Sequence, residues 1–216
     1  MATQSFKERV KEVAIAQAKN YEKVFLKYEY LVCSKAFLQN PYYIISAHAD
    51  NYRHLIGVNT KDSAEDFFYK CLNGTLEEDD FDFRKKGQSE KDVKGAVRDK
   101  IIALPNFLSM MGQEINAEEN FVKNKVHCSF ATTDHSATVG FIASNKSKPM
   151  TLLRGDRLEK TKSYPVDLIL RRSYGDQYFN EIVLGDKNMI SEYYHKIRVL
   201  LADELLLSEM KETALV

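Results

Sequence analysis

The stretches that decide the fold are Tyr28–Phe37 (YEYLVCSKAF) and Tyr42–Ala47 (YYIISA), which are rich in aromatic and β-branched residues. A third stretch, Tyr52–Val58 (YRHLIGV), has a similar composition and follows a turn signal at residues 50–51. Such residues favour strands, and the Asn-Pro pair at residues 40–41 favours a turn between the first two. The pattern therefore predicts three short antiparallel strands.

Helical patterns surround these strands. Ser5 and Glu8 fit a capping box, and the apolar residues behind them recur every three or four positions, which predicts a helix over about residues 6–25. Three further helices are predicted, and their first and last signals are Ser63 and Gly74, Ser89 and Pro105, and Asp186 and Leu205.

The later part of the chain predicts two hairpins. Residues 125–133 and 137–144 flank the turn Asp134–Ser136, and residues 164–172 and 178–184 flank the turn Tyr174–Asp176. Between the hairpins, Lys148–Arg157 contains both Pro and Gly and is interpreted as a loop. The fold class is therefore α+β, an antiparallel sheet of hairpins with N-terminal, middle and C-terminal helices.

The domain organisation follows from the absence of a clear linker. Residues 1–186 are predicted to form one α+β domain. Residues 187–216 are predicted to form a C-terminal amphipathic helix that packs on this domain or lies at an interface.

Charge and hydropathy exclude several classes of protein. The chain has 216 residues, with 31 Lys plus Arg against 31 Asp plus Glu, so its formal net charge is zero. This balance argues against an extended basic surface for duplex nucleic acid, although a small local site is compatible with it. No apolar run approaches the ~18 residues that span a bilayer, and no signal peptide is recognisable. We therefore expect a cytoplasmic protein that does not bind membranes.

The sequence predicts neither a metal site nor a cofactor. His127 and Cys128 are adjacent, so on a strand their side chains would point to opposite faces. His48 and His54 lack the spacing of a zinc-binding helix, and no glycine-rich loop for phosphates is present.

Three features suggest chemistry at a site. His54 lies on a predicted strand close to Gly57, where an imidazole can act as base or acid, although a hydrogen bond within the core is the simpler interpretation. Lys70 is a cation on an otherwise apolar helix, where most lysines only extend to water. Residues 144–172 carry eight cations and three carboxylates, with Thr151 as a neutral donor. This segment is either a phosphate-binding stripe or an ordinary basic surface.

Several segments resemble a known family. They are residues 51–58 (NYRHLIGV), 63–76 (SAEDFFYKCLNGTL), 138–141 (TVGF), 149–153 (PMTLL) and Arg157-Leu158. They are similar to the fourth group of the phage-associated Barnase–EndoU–colicin–RelE-like nuclease domains, and the resemblance extends from about Tyr28 to Leu184. It implies an N-terminal helical portion joined to a small, curved antiparallel sheet. Members of the wider superfamily are metal-independent endoribonucleases, and many are toxins in conflicts between phages and bacteria.

The chemistry of metal-free RNA cleavage suggests roles for particular residues of this sequence. Metal-free RNA cleavage needs a base for the 2′-OH, an acid for the leaving 5′-oxygen and cations for the phosphorane. His54 is the candidate base or acid, Lys70 and Arg154 are candidate phosphorane-stabilising cations, and no partner acid is evident. Thr151 is a candidate donor to a phosphate oxygen. The candidate substrate-binding residues are Tyr52, which would stack on a base, together with Arg53, Lys148, Arg157 and Arg171.

Two functions remain open at this point. The first is a metal-independent endoribonuclease of a phage or mobile element, acting on tRNA or mRNA by 2′-OH attack. The second is a noncatalytic protein-binding or inhibitor module with a host protein partner, which the zero net charge and the 12 Tyr and 12 Phe favour. The C-terminal helix is in addition a candidate homodimer contact.

Overall fold

The computed structural model describes residues 4–123, 126–143 and 145–206. Within these residues it contains five α-helices and twelve strands. The helices are α1 (Phe6–Tyr21), α2 (Ala49–Ile56), α3 (Ala64–Asn73), α4 (Glu90–Ser109) and α5 (Lys187–Ile197). The strands are β1 (Tyr28–Ser34), β2 (Tyr43–Ile45), β3 (Asn59–Thr60), β4 (Phe81–Asp82), β5 (Asn116–Glu119), β6 (Val122–Lys123), β7 (Val126–His127), β8 (Phe130–Thr133), β9 (Ala137–Ala143), β10 (Ser147–Arg154), β11 (Tyr164–Ser173) and β12 (Glu181–Leu184).

The main sheet closes on itself. Its strand order is β1-β2-β10-β9-β8-β5-β11, and β11 pairs back onto β1, so seven strands form a barrel-like ring with β12 attached to β11. The neighbours are antiparallel except for β2 and β10, which meet in parallel at Ile45 and Ser147. The fold is therefore mixed α and β, and closure depends on pairings between strands that are distant in sequence.

Helices α1 to α4 share one aromatic core with the sheet. Tyr21 lies 5.0 Å from Tyr52 between ring centroids, and Phe25 stacks on Phe107 at 4.7 Å. Phe68 meets the Tyr52 ring edge-on at 5.4 Å. Each of these rings is fully buried, and such pairs add to the free energy of apolar burial. The core therefore fixes α2 and α3 against α1.

Helix α5 covers the other side of β1 and β11. Its residues Ile190, Tyr193 and Ile197 are buried together with Leu31 of β1 and Leu168 of β11. The apolar face of this helix is thus occupied by its own chain. Dimerisation through this segment and the division into residues 1–186 and 187–216 stay predictions.

Several predicted elements are confirmed. Ser5 accepts from the Glu8 amide at 2.9 Å and completes a capping box at the start of α1. Ser63 caps α3, and Gly74 ends it in the left-handed conformation. Strands β1 and β2 and the hairpins β8–β9 and β11–β12 also form as expected. Lys125, Ser144 and residues 207–216, which the sequence places in a hairpin and in the C-terminal helix, lie outside the described residues.

Two predicted elements are wrong. The third strand is helix α2, because Asn51, Tyr52, Leu55 and Ile56 are buried at helical spacing and Gly57 supplies the left-handed end. The loop at 148–157 is mostly strand β10, since a register shift after Pro149 accommodates the proline beside β9.

The remaining differences concern where two helices end. Helix α4 continues through Pro105 to Ser109, because Pro105 lies on its exposed face while Leu104 and Phe107 are buried. Helix α5 ends at Ile197, and short 3₁₀ turns follow it at 198–200 and 203–205. No helix within the described ranges has the length and apolar character needed to cross a membrane.

Candidate active site

A small pocket lies where the end of α2 meets α4 and β10. Its volume is about 270 Å³. The polar side chains that line it are those of Arg53, His54, Asn59, Lys85, Lys100 and Thr151. We call the site formed by Arg53, His54, Lys85, Lys100 and Thr151 the cation pocket.

Gly57 gives Lys100 its place in the cation pocket. Gly57 ends α2 with a φ of 89°, and its amide donates to the Arg53 carbonyl at 2.8 Å. A Cβ on this residue would lie 2.7 Å from Cδ of Lys100, so the lysine crosses the helix end where only glycine leaves room. The Lys100 Nζ donates to the His54 carbonyl oxygen. A cation at this position also interacts favourably with the negative end of the helix dipole.

Within the described residues, the cations of the pocket lack acidic partners. Across the described part of the chain, Arg53, Lys85 and Lys100 form no ion pair with a carboxylate. The Nε of Arg53 is buried and has no hydrogen-bond partner among those residues. An unpartnered buried donor costs about 1–3 kcal/mol, so the free protein holds Arg53 in an unfavourable environment. The pocket is therefore suited to a phosphate group.

Burial and mutual repulsion lower the pKa values of these groups. Burial, with the charge of Lys85 as a second cause, lowers the pKa of Lys100 to about 7. Burial, followed by the charges of Arg53 and Lys100, lowers the pKa of His54 below its usual value of 6.5. Near neutral pH the imidazole is therefore mostly neutral, whereas the amine exchanges between its two protonation states.

Thr151 borders the pocket from the sheet. It follows the register shift in β10, and its methyl carbon would lie 3.0 Å from a Cβ added to Gly140 of β9. Because residue 140 is a glycine, Thr151 of β10 can lie close to β9. Thr151 is half-buried and lines the same pocket as His54, where its hydroxyl can donate to an anion.

The structure brings together three of the residues that the sequence predicts for the site. His54, Arg53 and Thr151 line one pocket. His54 lies on a helix, so its predicted place on a strand is wrong. Tyr52 is fully buried and its hydroxyl donates to the Ala14 carbonyl at 2.6 Å, so it cannot stack on a base as predicted.

The other predicted cations lie elsewhere. Lys70 is held by Asp62 and Asp80, each at 2.6 Å, and these hydrogen bonds raise its pKa. Its charge is therefore already balanced outside the cation pocket, which contradicts its proposed place beside His54. Lys148 borders a different groove, between Tyr69 and Tyr174.

The predicted positive stripe is not one surface. Arg154 is exposed and lies 3.8 Å from Asp99, and the Nε of Arg157 donates to the Arg154 carbonyl at 2.9 Å. Arg171 pairs with Glu181 and lies over the Tyr28 ring at 4.2 Å. None of these three arginines lines the cation pocket.

Sequence reasoning missed Lys100 and Lys85. Lys100 falls on the apolar stripe of α4, three residues after Val97 and four before Leu104, both of which are buried. A lysine on the apolar face of a helix can be identified from the sequence as a candidate site residue, and Lys70 was identified in this way. Lys85 lies in a polar segment that offered no signal, because only tertiary packing brings it to α2.

Within the described residues, no group of three or more His, Cys, Asp or Glu side chains is placed to hold a metal ion.

Comparison with protein families identifies the family of the chain. A family model described as phage-Barnase-EndoU-ColicinE5/D-RelE like nuclease 4 matches residues 15–198. Because the match covers most of the chain, the chain belongs to this family of phage-type nucleases. The match includes α1 from residue 15 and all of α5, beyond the segments that carried the resemblance in the sequence. No curated protein and no solved structure gives a significant match.

Proposed function

We propose that this chain is an endoribonuclease that cleaves RNA by attack of a ribose 2′-OH on the adjacent phosphorus, with the cation pocket as its active site. The observation that carries the proposal is the convergence in one pocket of the His54 imidazole with three cations, Arg53, Lys85 and Lys100, that form no ion pair within the described residues. In a member of a nuclease family, this is the arrangement that a phosphodiester requires.

The chemistry assigns proton transfer to His54 and Lys100. The neutral His54 imidazole accepts the proton of the 2′-OH, and the 2′-oxygen forms its bond to phosphorus. The bond from phosphorus to the 5′-oxygen then breaks, and the Lys100 ammonium donates a proton to that oxygen. The products are a 2′,3′-cyclic phosphate and a 5′-hydroxyl. Lys100 is thus the acid that sequence reasoning did not find.

The remaining groups of the pocket hold the phosphate. Arg53 and Lys85 compensate the charge that builds up on the phosphorane, and the Arg53 guanidinium donates to one of its oxygens. The Thr151 hydroxyl donates to another. DNA lacks the 2′-OH, so the same groups would bind its phosphate without cleaving it.

Cleavage of a labelled single-stranded RNA tests this proposal. The wild type should give 2′,3′-cyclic phosphate ends, with or without EDTA, and should leave the matching oligonucleotide with 2′-deoxyribose intact. His54→Ala and Lys100→Met should each lose roughly 10²- to 10⁴-fold in kcat/KM. Lys91→Met is the matched control, because Lys91 is an exposed lysine on the same helix as Lys100.

Two results would contradict the proposal. One is wild-type protein that leaves every RNA intact in both conditions. The other is full activity in both His54→Ala and Lys100→Met. Circular dichroism of each variant shows whether a loss of activity reflects unfolding.

A further inference from the structure

A second groove lies at the other end of α2 and is not used by the proposed chemistry. Its volume is about 450 Å³. The groove is lined by the side chains of His48, Asp50, Glu65, Tyr69, Lys148 and Tyr174, and we call it the base groove.

Two exposed tyrosine rings stand on fixed backbone in the base groove. Tyr69 is 45% exposed and Tyr174 is 53% exposed. Tyr69 is anchored on α3, where its ring meets that of Phe68 at 5.4 Å. The Tyr174 amide donates to the Lys27 carbonyl at 2.8 Å, and the His48 ring lies edge-on to Tyr174 at 6.2 Å. Rings that are exposed but already positioned bind a flat ligand with little loss of conformational entropy.

The charged groups of the base groove form no ion pairs within the described residues. Among the residues described, Asp50, Glu65 and Lys148 take part in no ion pair. Two carboxylates would repel a phosphate, so this groove differs in kind from the cation pocket. Carboxylates accept hydrogen bonds from N–H groups, and an aromatic nucleobase supplies both those groups and a face for stacking.

The base groove and the cation pocket are adjacent along the same two elements. Asp50 and His54 are four residues apart on α2, which places them one turn and about 6 Å apart on one face. On β10, Lys148 borders the base groove whereas Met150 and Thr151 border the cation pocket. A single nucleotide can therefore reach from one to the other.

We propose that the base groove binds an unpaired base of the nucleotide next to the scissile phosphate, with a preference for guanine, so that the substrate class is single-stranded RNA. This inference rests on the proposed nuclease function. Tyr174 and Tyr69 contact the faces of the base, and Lys148 lies beside the chain's next phosphate. Bases in a duplex are stacked on each other and cannot enter.

The preference for guanine follows from the carboxylates. The Watson–Crick edge of guanine presents two adjacent N–H donors, which match the two oxygens of one carboxylate. Uracil presents a single N–H between two carbonyl oxygens, and these oxygens would face Asp50 and Glu65 unfavourably.

Binding of RNA that cannot be cleaved tests the inference. We would measure the fluorescence anisotropy of labelled pentanucleotides with 2′-O-methyl groups at every position and guanine or uracil at the centre. Tyr174→Ala should weaken binding of the guanine oligonucleotide roughly 5- to 100-fold. Tyr174→Phe should keep the affinity, because it keeps the ring. Tyr178→Ala is the matched control, since Tyr178 is 43% exposed near the same hairpin turn and does not line the groove.

The base preference has its own readout. Wild-type protein should bind the guanine oligonucleotide more tightly than the uracil one, and Glu65→Gln or Asp50→Asn should reduce that difference. Equal affinity of the wild type for both oligonucleotides would overturn the preference. Wild-type affinity in Tyr174→Ala, or an equal loss in Tyr178→Ala, would overturn the site itself.

Failure of this inference can be distinguished from failure of the proposed function. If Tyr174→Ala binds and cleaves like the wild type while His54→Ala is inactive, only the base groove is refuted. If the wild type cleaves no RNA, the nuclease proposal is refuted, and the binding series still decides whether the groove takes a base.

Discussion

Replacement of Gly57 by alanine separates the backbone role of this residue from its role at the site. Gly57 has a φ of 89°, and a Cβ there would lie 2.7 Å from Cδ of Lys100. The left-handed conformation costs a non-glycine residue about 1–2 kcal/mol. The Lys100 side chain is flexible enough to move, so the contact displaces the lysine from the His54 carbonyl and adds little to the cost of folding.

The magnitude of both effects can be estimated. For a protein of this size, 1 kcal/mol corresponds to a Tm change of about 2–4 °C, so Gly57→Ala should lower Tm by about 2–8 °C. Displacement of a proton donor by about 1 Å costs roughly 100-fold in rate. We therefore expect a modest loss of stability together with a loss of roughly 100-fold in kcat/KM for RNA cleavage.

Gly74→Ala provides the matched control. Gly74 also ends a helix, with a φ of 71°, but a Cβ there meets nothing within 4 Å. Thermal unfolding followed by circular dichroism should show a similar loss of Tm in both variants, whereas only Gly57→Ala should lose activity. Equal activity in the two variants, or an equal loss, would refute the placement of Lys100 as the proton donor.

Three further predictions follow from the ionisable groups. The pKa of His54 is below 6.5 and that of Lys100 is about 7. As the pH increases, kcat/KM should therefore rise through the pKa of His54, peak between the two pKa values and fall above about pH 7. A value of kcat/KM that keeps rising to pH 9 would exclude Lys100 as the acid. Lys70→Met should keep full cleavage activity but lower Tm, because the substitution leaves the carboxylates of Asp62 and Asp80 without their cation. Loss of activity in a folded variant would contradict the structural role of Lys70. Burial alone would raise the pKa of Glu29, but hydrogen bonds, including those from Arg172, lower this pKa. The contribution of Glu29 to the free energy of unfolding should therefore be complete above about pH 4.5 and be lost as the pH falls further. Glu29→Gln should flatten this dependence of stability on acid pH, as measured by urea titrations.

Local signals in the sequence were sufficient for elements with defined ends. Ser5 with Glu8 at the start of α1, and Ser63 with Gly74 around α3, predicted those helices because capping depends on neighbouring residues alone. The short apolar run of α2 was ambiguous, since eight residues fit a strand or a helix and only the aromatic core around Tyr52 decides between them. Closure of the sheet through β1 and β11 joins residues more than 130 positions apart, and no local pattern encodes that pairing.

The site was predictable to the same limited extent. His54, Arg53 and Thr151 were identified by residue type, and their convergence depended on α2 being a helix that packs on β10. Lys70 and Lys100 gave the same signal, a lysine on an apolar helix face. They differ in what the fold places opposite them, two carboxylates for Lys70 and a backbone carbonyl beside other cations for Lys100. Sequence spacing contains no information about that difference.

The zero net charge of the chain is compatible with a phosphate site because the cations are concentrated in one pocket. Partial desolvation and neighbouring cations lower the pKa values of Lys100 and His54, so in the free protein both groups bind protons more weakly than they would in water. An arriving phosphate supplies the missing negative charge, and its interaction with each cation strengthens as it displaces water from the pocket. Phosphate binding should therefore raise both pKa values and be coupled to uptake of a proton near neutral pH. The pocket thus becomes fully charged only when its ligand is present, and an extended basic surface is not needed to bind it.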